Sequence, residues 1–279
     1  MQVRVWGARG SAPAPAPANV GYGGDTCCIE VRTPGGVVLI LDAGMGLHWL
    51  GRSLMEGAFG AGQGEAHLLL SHTHWGHIQG IPFFTPLLIG GNRFSLYGPG
   101  EGEPLQDAMR QQLHPTYCPV PNFFNDQVGA TIQIQEVEEG AFGIGDAQVV
   151  VRRVNHSPGI TCFAYRLEVK GRALAYIPDV DYLDPSQRRP ALELAHRADL
   201  LFHDAHCTAA EYRPGCGHAS DRDAVALARE AGVGRLALFH HHPERSDREI
   251  DAVVAAHQGQ GLAVEGARQG QVYKLGKKK

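Results

Sequence analysis

The sequence predicts an α+β fold, and three observations predict it. Short apolar runs of strand length recur along the 279 residues and alternate with amphipathic segments that carry helix-start signals. Residue types suited to metal binding collect at the ends of those runs, at 42, 72–77, 156, 179, 203–206 and 240–242. The composition, 43% hydrophobic and 19% charged, is that of a globular chain long enough to bury a sizeable core.

The elements follow in order. Residues 2–7, QVRVWG, alternate apolar and polar and read as a first strand. The Pro/Ala-rich stretch 11–20, SAPAPAPANV, is a surface loop and not a domain linker. Residues 27–44 read as a hairpin, with a Pro-Gly-Gly turn before the apolar strand VVLILD. A helix is expected within 46–58. The run HLLL at 67–70 is a buried strand leading into SHTHWGH at 71–77. Residues 77–90 are apolar with a helical start, and 93–99 form a strand. Segment 101–127 holds the helix EPLQDAMRQQL followed by an irregular aromatic stretch, and reads as a lid. Residues 131–140 and 147–157 are strands, the second ending at His156. Residues 161–181 form a hairpin that reaches Asp179, and 191–207 a helix followed by a strand. Ser220 with Asp223 at the third helical position makes a capping box for the helix DRDAVALAREAG. Residues 235–242 are a strand ending in three histidines, and Ser246 caps the last helix, 246–258.

Charge and cysteine usage narrow the function class. The net charge is −4 and the only basic run is 277–279, which disfavours a long nucleic acid partner and leaves room for a small anionic substrate. No segment resembles a signal peptide, and no run of about 18 apolar residues occurs, so a membrane span is not expected and the chain reads as cytoplasmic. The six cysteines are scattered without a CxxC pair and read as mostly free thiols.

The chemistry concentrates in SHTHWGH. On an extended segment His72 and His74 point the same way, so both imidazoles can face one ion, while His77 follows a turn and can face another. Adding the strand-end residues His156, Asp179 and His240 gives five imidazoles and one carboxylate, enough for two adjacent ions bridged by Asp179. Imidazole suits zinc, iron, nickel and copper, whereas carboxylate favours harder ions such as manganese. A pair of such ions generates a hydroxide and clamps an oxyanion during displacement at phosphorus or carbon. His48, His67, His114, His196 and His257 read as ordinary packed or exposed residues.

This ordered set resembles the metallo-β-lactamase-fold hydrolases, whose His-x-His-x-Asp-His motif stands here as His72-Thr73-His74-Trp75-Gly76-His77. WGARGSAPAP and YGGDTCCIEV resemble the start of the ribonuclease Z-like and cyclic phosphodiesterase-like branch. LILDAGMG resembles its Asp-x-Gly turn, NHSPG its His156 segment, AYIPDVD its Asp179 segment, LFHHHP its His240 segment, and GCGHAS its His-Ser-Thr-type motif. The resemblance spans nearly the whole chain. It implies one domain over 1–279 with a four-layer αββα sandwich, and one or two zinc ions, with manganese or iron as alternatives. His72, His74 and His156 would hold the first metal. His77, Asp179 and His240 would hold the second, with Asp179 shared. His218 would stand near the scissile phosphate, stabilising charge or protonating the leaving oxygen, and Asp42 would orient a ligand histidine. Asp25 and Asp204 are open between that supporting role and turn or packing roles.

Gly76 departs from the motif, because it has no carboxylate to bind the second ion or manage a proton. Water completes that coordination, or the second ion is held weakly, or another side chain fills the gap. His242, in HHHP where HHDP is expected, is the candidate for filling it; the alternative is that it faces solvent. The expected consequences are a weakened second ion and a gain of activity on Gly76→Asp. The leading substrate class is a small phosphodiester such as a cyclic nucleotide. The alternatives are a lactone, thioester or β-lactam, and a weakened or non-catalytic member of the family. In the lid segment Tyr117, Phe123 and Phe124 are candidates for base stacking, and equally for a homodimer contact.

Overall fold

Fourteen strands run through the described part of the computed structural model, which comprises residues 1–100, 103–118, 129–259 and 261–276. The first seven in chain order are β1 (Gln2–Gly7), β2 (Cys28–Arg32), β3 (Val38–Leu41), β4 (Glu65–Leu69), β5 (Arg93–Gly98), β6 (Thr131–Glu136) and β7 (Gly140–Ile144). The others are β8 (Ala147–Val154), β9 (Cys162–Val169), β10 (Arg172–Ile177), β11 (Leu200–Asp204), β12 (Arg235–Phe239), β13 (Ala263–Gly266) and β14 (Val272–Lys274). They make two seven-stranded mixed sheets, ordered β14-β1-β2-β3-β4-β5-β6 and β13-β12-β11-β10-β9-β8-β7. The helices are α1 (Gly46–Leu54), α2 (Trp75–Ile78), α3 (Leu105–Gln112), α4 (Arg188–Ala195), α5 (Asp221–Glu230) and α6 (Asp247–Ala256).

Strand periodicity explains the layers. In β3, Leu39 and Leu41 enter a central core with Val149, Tyr165 and Tyr176 of the other sheet, while Val38 and Ile40 face outward against Leu47 and Leu50 of α1. In the second sheet, Phe202 and Phe239 join the central core, while Leu201 and Leu238 pack outward with Leu227 of α5. Strands covered on both faces are apolar almost throughout, as VLIL and RLALF are. The result is a four-layer αββα sandwich.

Local chemistry sets the connections. Lys170 and Gly171, with φ of 50° and 73°, form the two-residue turn between β9 and β10, and both positive angles suit the primed turn that matches strand twist. The capping boxes at Ser220 with Asp223 and Ser246 with Glu249 are both formed. All six cysteines are free. Among the described residues no helix is long and apolar enough to cross a membrane.

Several expectations change. The stretch 131–140 is not one strand: β6 stops at Glu136, and Gly140 begins β7 in the other sheet. β7, β13 and β14 have sequences GAFGI, AVEG and VYK, too short and too poor in alternation to announce themselves; they form because β8, β12 and β1 offer an edge to pair with. The helical start of 77–90 lasts only through α2, after which two short 3₁₀ turns, Ile81–Phe83 and Thr85–Leu88, each begin around a proline. In the lid segment Tyr117 is 80% exposed, and Phe123 and Phe124 lie outside the described residues.

Candidate metal centre

In both sheets the parallel strands end at one edge, and the polar residues lie just beyond their carboxyl ends, where such sheets build sites. Asp42 follows β3, His72 follows β4, His156 follows β8, Asp179 follows β10, and His240 follows β12. Asp42 and His240 adopt left-handed backbone, with φ of 56° and 57°. That conformation costs a non-glycine residue roughly 1 kcal/mol or more and is tolerated where surrounding contacts enforce it.

Donor atoms of His72, His74 and His156 lie within 4.8 Å of one another, as do those of His72, His77 and Asp179. His156 Nε2 is 3.1 Å from His74 Nδ1, and its Nδ1 is 2.6 Å from the Gly217 carbonyl oxygen, which accepts from it and so turns Nε2 toward the site. His77 spans two carboxylates: Nδ1 is 2.7 Å from Asp42 Oδ2 and Nε2 is 2.7 Å from Asp179 Oδ2. Burial alone would lower the pKa of His77, but Asp42 and Asp179 push it up to about 10 in the metal-free chain. Asp42 also accepts the Ser71 amide at 2.7 Å, the Ser71 hydroxyl at 2.9 Å and the Tyr176 hydroxyl at 2.7 Å. It is thus the buried anchor that orients His77.

On the other side of Asp179, His240 Nδ1 lies 3.2 Å from Oδ1. The donor atoms gathered there with Asp179 and His240 belong to Asp204 and His218. His218 Nδ1 is 3.0 Å from Asp179 Oδ1 and 3.2 Å from Asp204 Oδ2. Burial opposes its charge, yet Asp204 and Asp179 raise it to about 11. Asp204 also accepts the amides of Val180, His206 and Ala219, so it both ties the loops and orients His218. Asp25 serves packing, accepting from Gln269 at 2.6 Å.

A divalent metal fits these residues. His72 Nε2, both carboxylate oxygens of Asp179 and both ring nitrogens of His240 are buried and make no well-aligned hydrogen bond. Burial holds His72 and His240 well below the usual imidazole range, so they are neutral, the form that binds metal. Burial would raise the Asp179 carboxyl, but the charged His77, 2.7 Å away, holds it well below the carboxylate range. Neutral His72 and His240 beside the ionised Asp179, with His77 able to give up its proton to an ion, are a donor set for zinc or a similar ion.

The site opens to a cavity of about 260 Å³, whose wall includes Ser11, Trp75, Gly76, Ser157, Cys216 and His218. Trp75, 65% exposed, stands on its rim; Tyr117 does not line it. At Gly76 itself the main chain of Ser11 packs against the backbone, and the carboxylate grouped with Asp179 and His240 is that of Asp204. His242 does not fill the position. Its Nδ1 accepts from the Glu244 amide at 3.2 Å, its ring lies 4.6 Å from His206, and it lines a neighbouring cavity. The preceding residue, His241, is buried, and its ring meets the Ala267 carbonyl.

Sequence reasoning missed Ser71, Tyr176, His206 and Gly217. His206 is 8% exposed and its ring stacks on His218 at 4.1 Å. It lies in the strand-end run 203–206, and that position was the available signal. His48, His67 and His257 lie away from the centre; His257 pairs with Asp221 at 2.6 Å.

The family described as Beta-lactamase superfamily domain matches residues 39–241, more than half of the chain. Ribonuclease Z of Thermoplasma acidophilum is 37% identical over 84 residues, which is 29% of this chain and 25% of that protein. The matched stretch therefore spans about a quarter of that relative's length. Among solved structures, the metallo-β-lactamase fold protein YhfI from Bacillus subtilis superposes with a TM-score of 0.71 at 20% identity, covering 98% of each chain. Zn²⁺-bound PqqB from Methylobacterium extorquens superposes with a TM-score of 0.72 at 16% identity, covering 99% of this chain and 100% of that one.

Proposed function

Because the chain belongs to the β-lactamase superfamily domain family and has the metallo-β-lactamase fold, we propose that it is a metal-dependent hydrolase acting as a phosphodiesterase on a small phosphodiester, such as a cyclic nucleotide. One observation carries the phosphodiester reading: His218 stands in the cavity wall with Nδ1 held between Asp179 and Asp204. An imidazolium fixed at that point offers positive charge to an anionic substrate and a proton to its leaving oxygen. The ribonuclease Z match, over a quarter of that protein, supports phosphodiester chemistry without bearing on the size of the substrate.

In this reading His72, His74 and His156 hold the first ion, and His77, Asp179 and His240 hold the second. Zinc is favoured by the histidine-rich donor set and by zinc in the similarly folded PqqB, with manganese or iron as alternatives. When bound, the metal supplies Lewis acidity and a water acidified to neutral pH. The chain's own residues do the rest. Asp42 fixes His77, the Gly217 carbonyl fixes the tautomer of His156, and Asp204 keeps His218 aimed. The net charge of −4 favours a small anionic substrate over long nucleic acid.

A panel of bis-p-nitrophenyl phosphate, 2′,3′- and 3′,5′-cyclic nucleotides, a lactone, a thioester and nitrocefin, each with added zinc or manganese, tests the reading. Phosphodiester turnover that is lost in His218→Ala is expected. Turnover of the carbonyl substrates alone would replace it with a lactone, thioester or β-lactam hydrolase.

A further inference from the structure

Asp181 is fully buried two residues beyond Asp179, yet it belongs to neither metal set. Its carboxylate is saturated by one loop. Oδ1 accepts the Tyr212 hydroxyl at 2.7 Å, and Oδ2 accepts the amides of Gly215 at 2.9 Å and Gly217 at 3.0 Å. That loop runs directly into His218. The main chain of Asp181 is fastened to the other side of the site. Its amide donates to the Asn155 carbonyl at 2.8 Å, and the Asn155 side chain donates to the Asp181 carbonyl at 2.9 Å. Asn155 immediately precedes His156.

The two attachments meet at one bond. The Gly217 carbonyl is the group 2.6 Å from His156 Nδ1, and Gly217 has φ of 85°, so the direction of that carbonyl depends on a left-handed turn. Asp181 holds the amide of the same residue. We propose that Asp181 is a positioning residue for the first metal: by clamping the 212–217 loop against the His156 segment, it fixes the Gly217 carbonyl and so the ring of His156, and it delivers His218 to the cavity from the same loop. The inference rests on the reading that His72, His74 and His156 hold an ion. A partner that fixes the second nitrogen of a ligand histidine typically contributes 10–100-fold in metal affinity.

The test uses the full chain, stripped of metal and titrated with cobalt(II), whose visible absorption reports the coordination of the tighter ion. Asp181→Ala is expected to weaken that affinity by about 10–100-fold and alter the spectrum, at a temperature where circular dichroism shows it folded. Asp181→Asn is expected to recover most of the affinity, because its oxygen can accept from both glycine amides while its NH₂ donates to the Tyr212 oxygen. A lowered melting temperature in Asp181→Ala with unchanged cobalt affinity and spectrum would overturn the proposal, as would an asparagine variant no better than alanine. If Asp181→Ala does not fold, Tyr212→Phe carries the test: a smaller loss of cobalt affinity supports the proposal and an unchanged affinity overturns it. Cobalt is read without substrate, so wild-type protein that binds it but cleaves no phosphodiester counts against the phosphodiesterase reading alone. Wild-type protein that binds no cobalt overturns both.

Discussion

The main chain of Ser11 stands against Gly76: a Cβ placed on Gly76 would lie 3.0 Å from the Ser11 carbonyl oxygen and 3.3 Å from its Cα. Ser11 itself is left-handed, with φ of 54°, and its side is exposed. Glycine at 76 and the close approach of this loop are therefore one feature. The exposed loop can give by the few tenths of an ångström that a side chain needs. Gly76→Asp is expected to tighten the second ion and raise phosphodiester hydrolysis while lowering stability by about 1–3 kcal/mol from overpacking. Metal titration and thermal unfolding of the variant check this; an unchanged second affinity would mean that the site is built around the glycine.

Asp42→Ala removes one carboxylate from four donor groups on three neighbours, the amide and hydroxyl of Ser71, Tyr176 and His77. Leaving buried donors without partners costs about 3–5 kcal/mol. Tyr176→Phe deletes only one of those bonds and should cost about 1 kcal/mol. Chemical denaturation of both variants reads the difference, and equal effects would show that Asp42 does not act as a shared anchor.

His242→Ala should leave metal content and turnover unchanged, since the ring engages Glu244 and His206 and not the open position beside Gly76. Loss of an ion in that variant would restore His242 as a ligand.

Stability should fall on mild acidification. Burial, with Arg9 and Arg245 nearby, pushes His241 down to about 3, against the bond to Ala267, and burial with His218 pushes His206 down to about 4. Both are neutral when folded, while the unfolded chain takes up protons below the ordinary value of 6.5. Their stabilisation is complete above that pH and is lost as pH falls from 6.5 toward 4 and 3, each group contributing up to about 1.4 kcal/mol per pH unit. Denaturant midpoints of metal-free protein measured across this range test the slope, and His241→Gln should flatten it.

The strand-end histidines and Asp179 were legible because a buried strand must be apolar along its length, so polar residues that interrupt it at the carboxyl end stand out. The framework of β1 to β5 was legible for the same reason. What stayed hidden depends on contacts between distant segments. Tyr176 reads as one more core residue of β10, and only packing of the two sheets brings its hydroxyl to Asp42. Asp181 carries no signal of its own in the sequence, because its partners come from the distant 212–217 loop. The approach of Ser11 to Gly76 joins a proline-rich loop to a helix start more than 60 residues away, and no local pattern encodes it.

The most direct measurement is the metal content of the protein purified without added metal, followed by titration with zinc. With the His72, His74 and His156 set intact and no carboxylate at Gly76, one ion should remain per chain and a second should bind only on titration. Two tightly held ions per chain, or none that His72→Ala and His156→Ala alter, would contradict it.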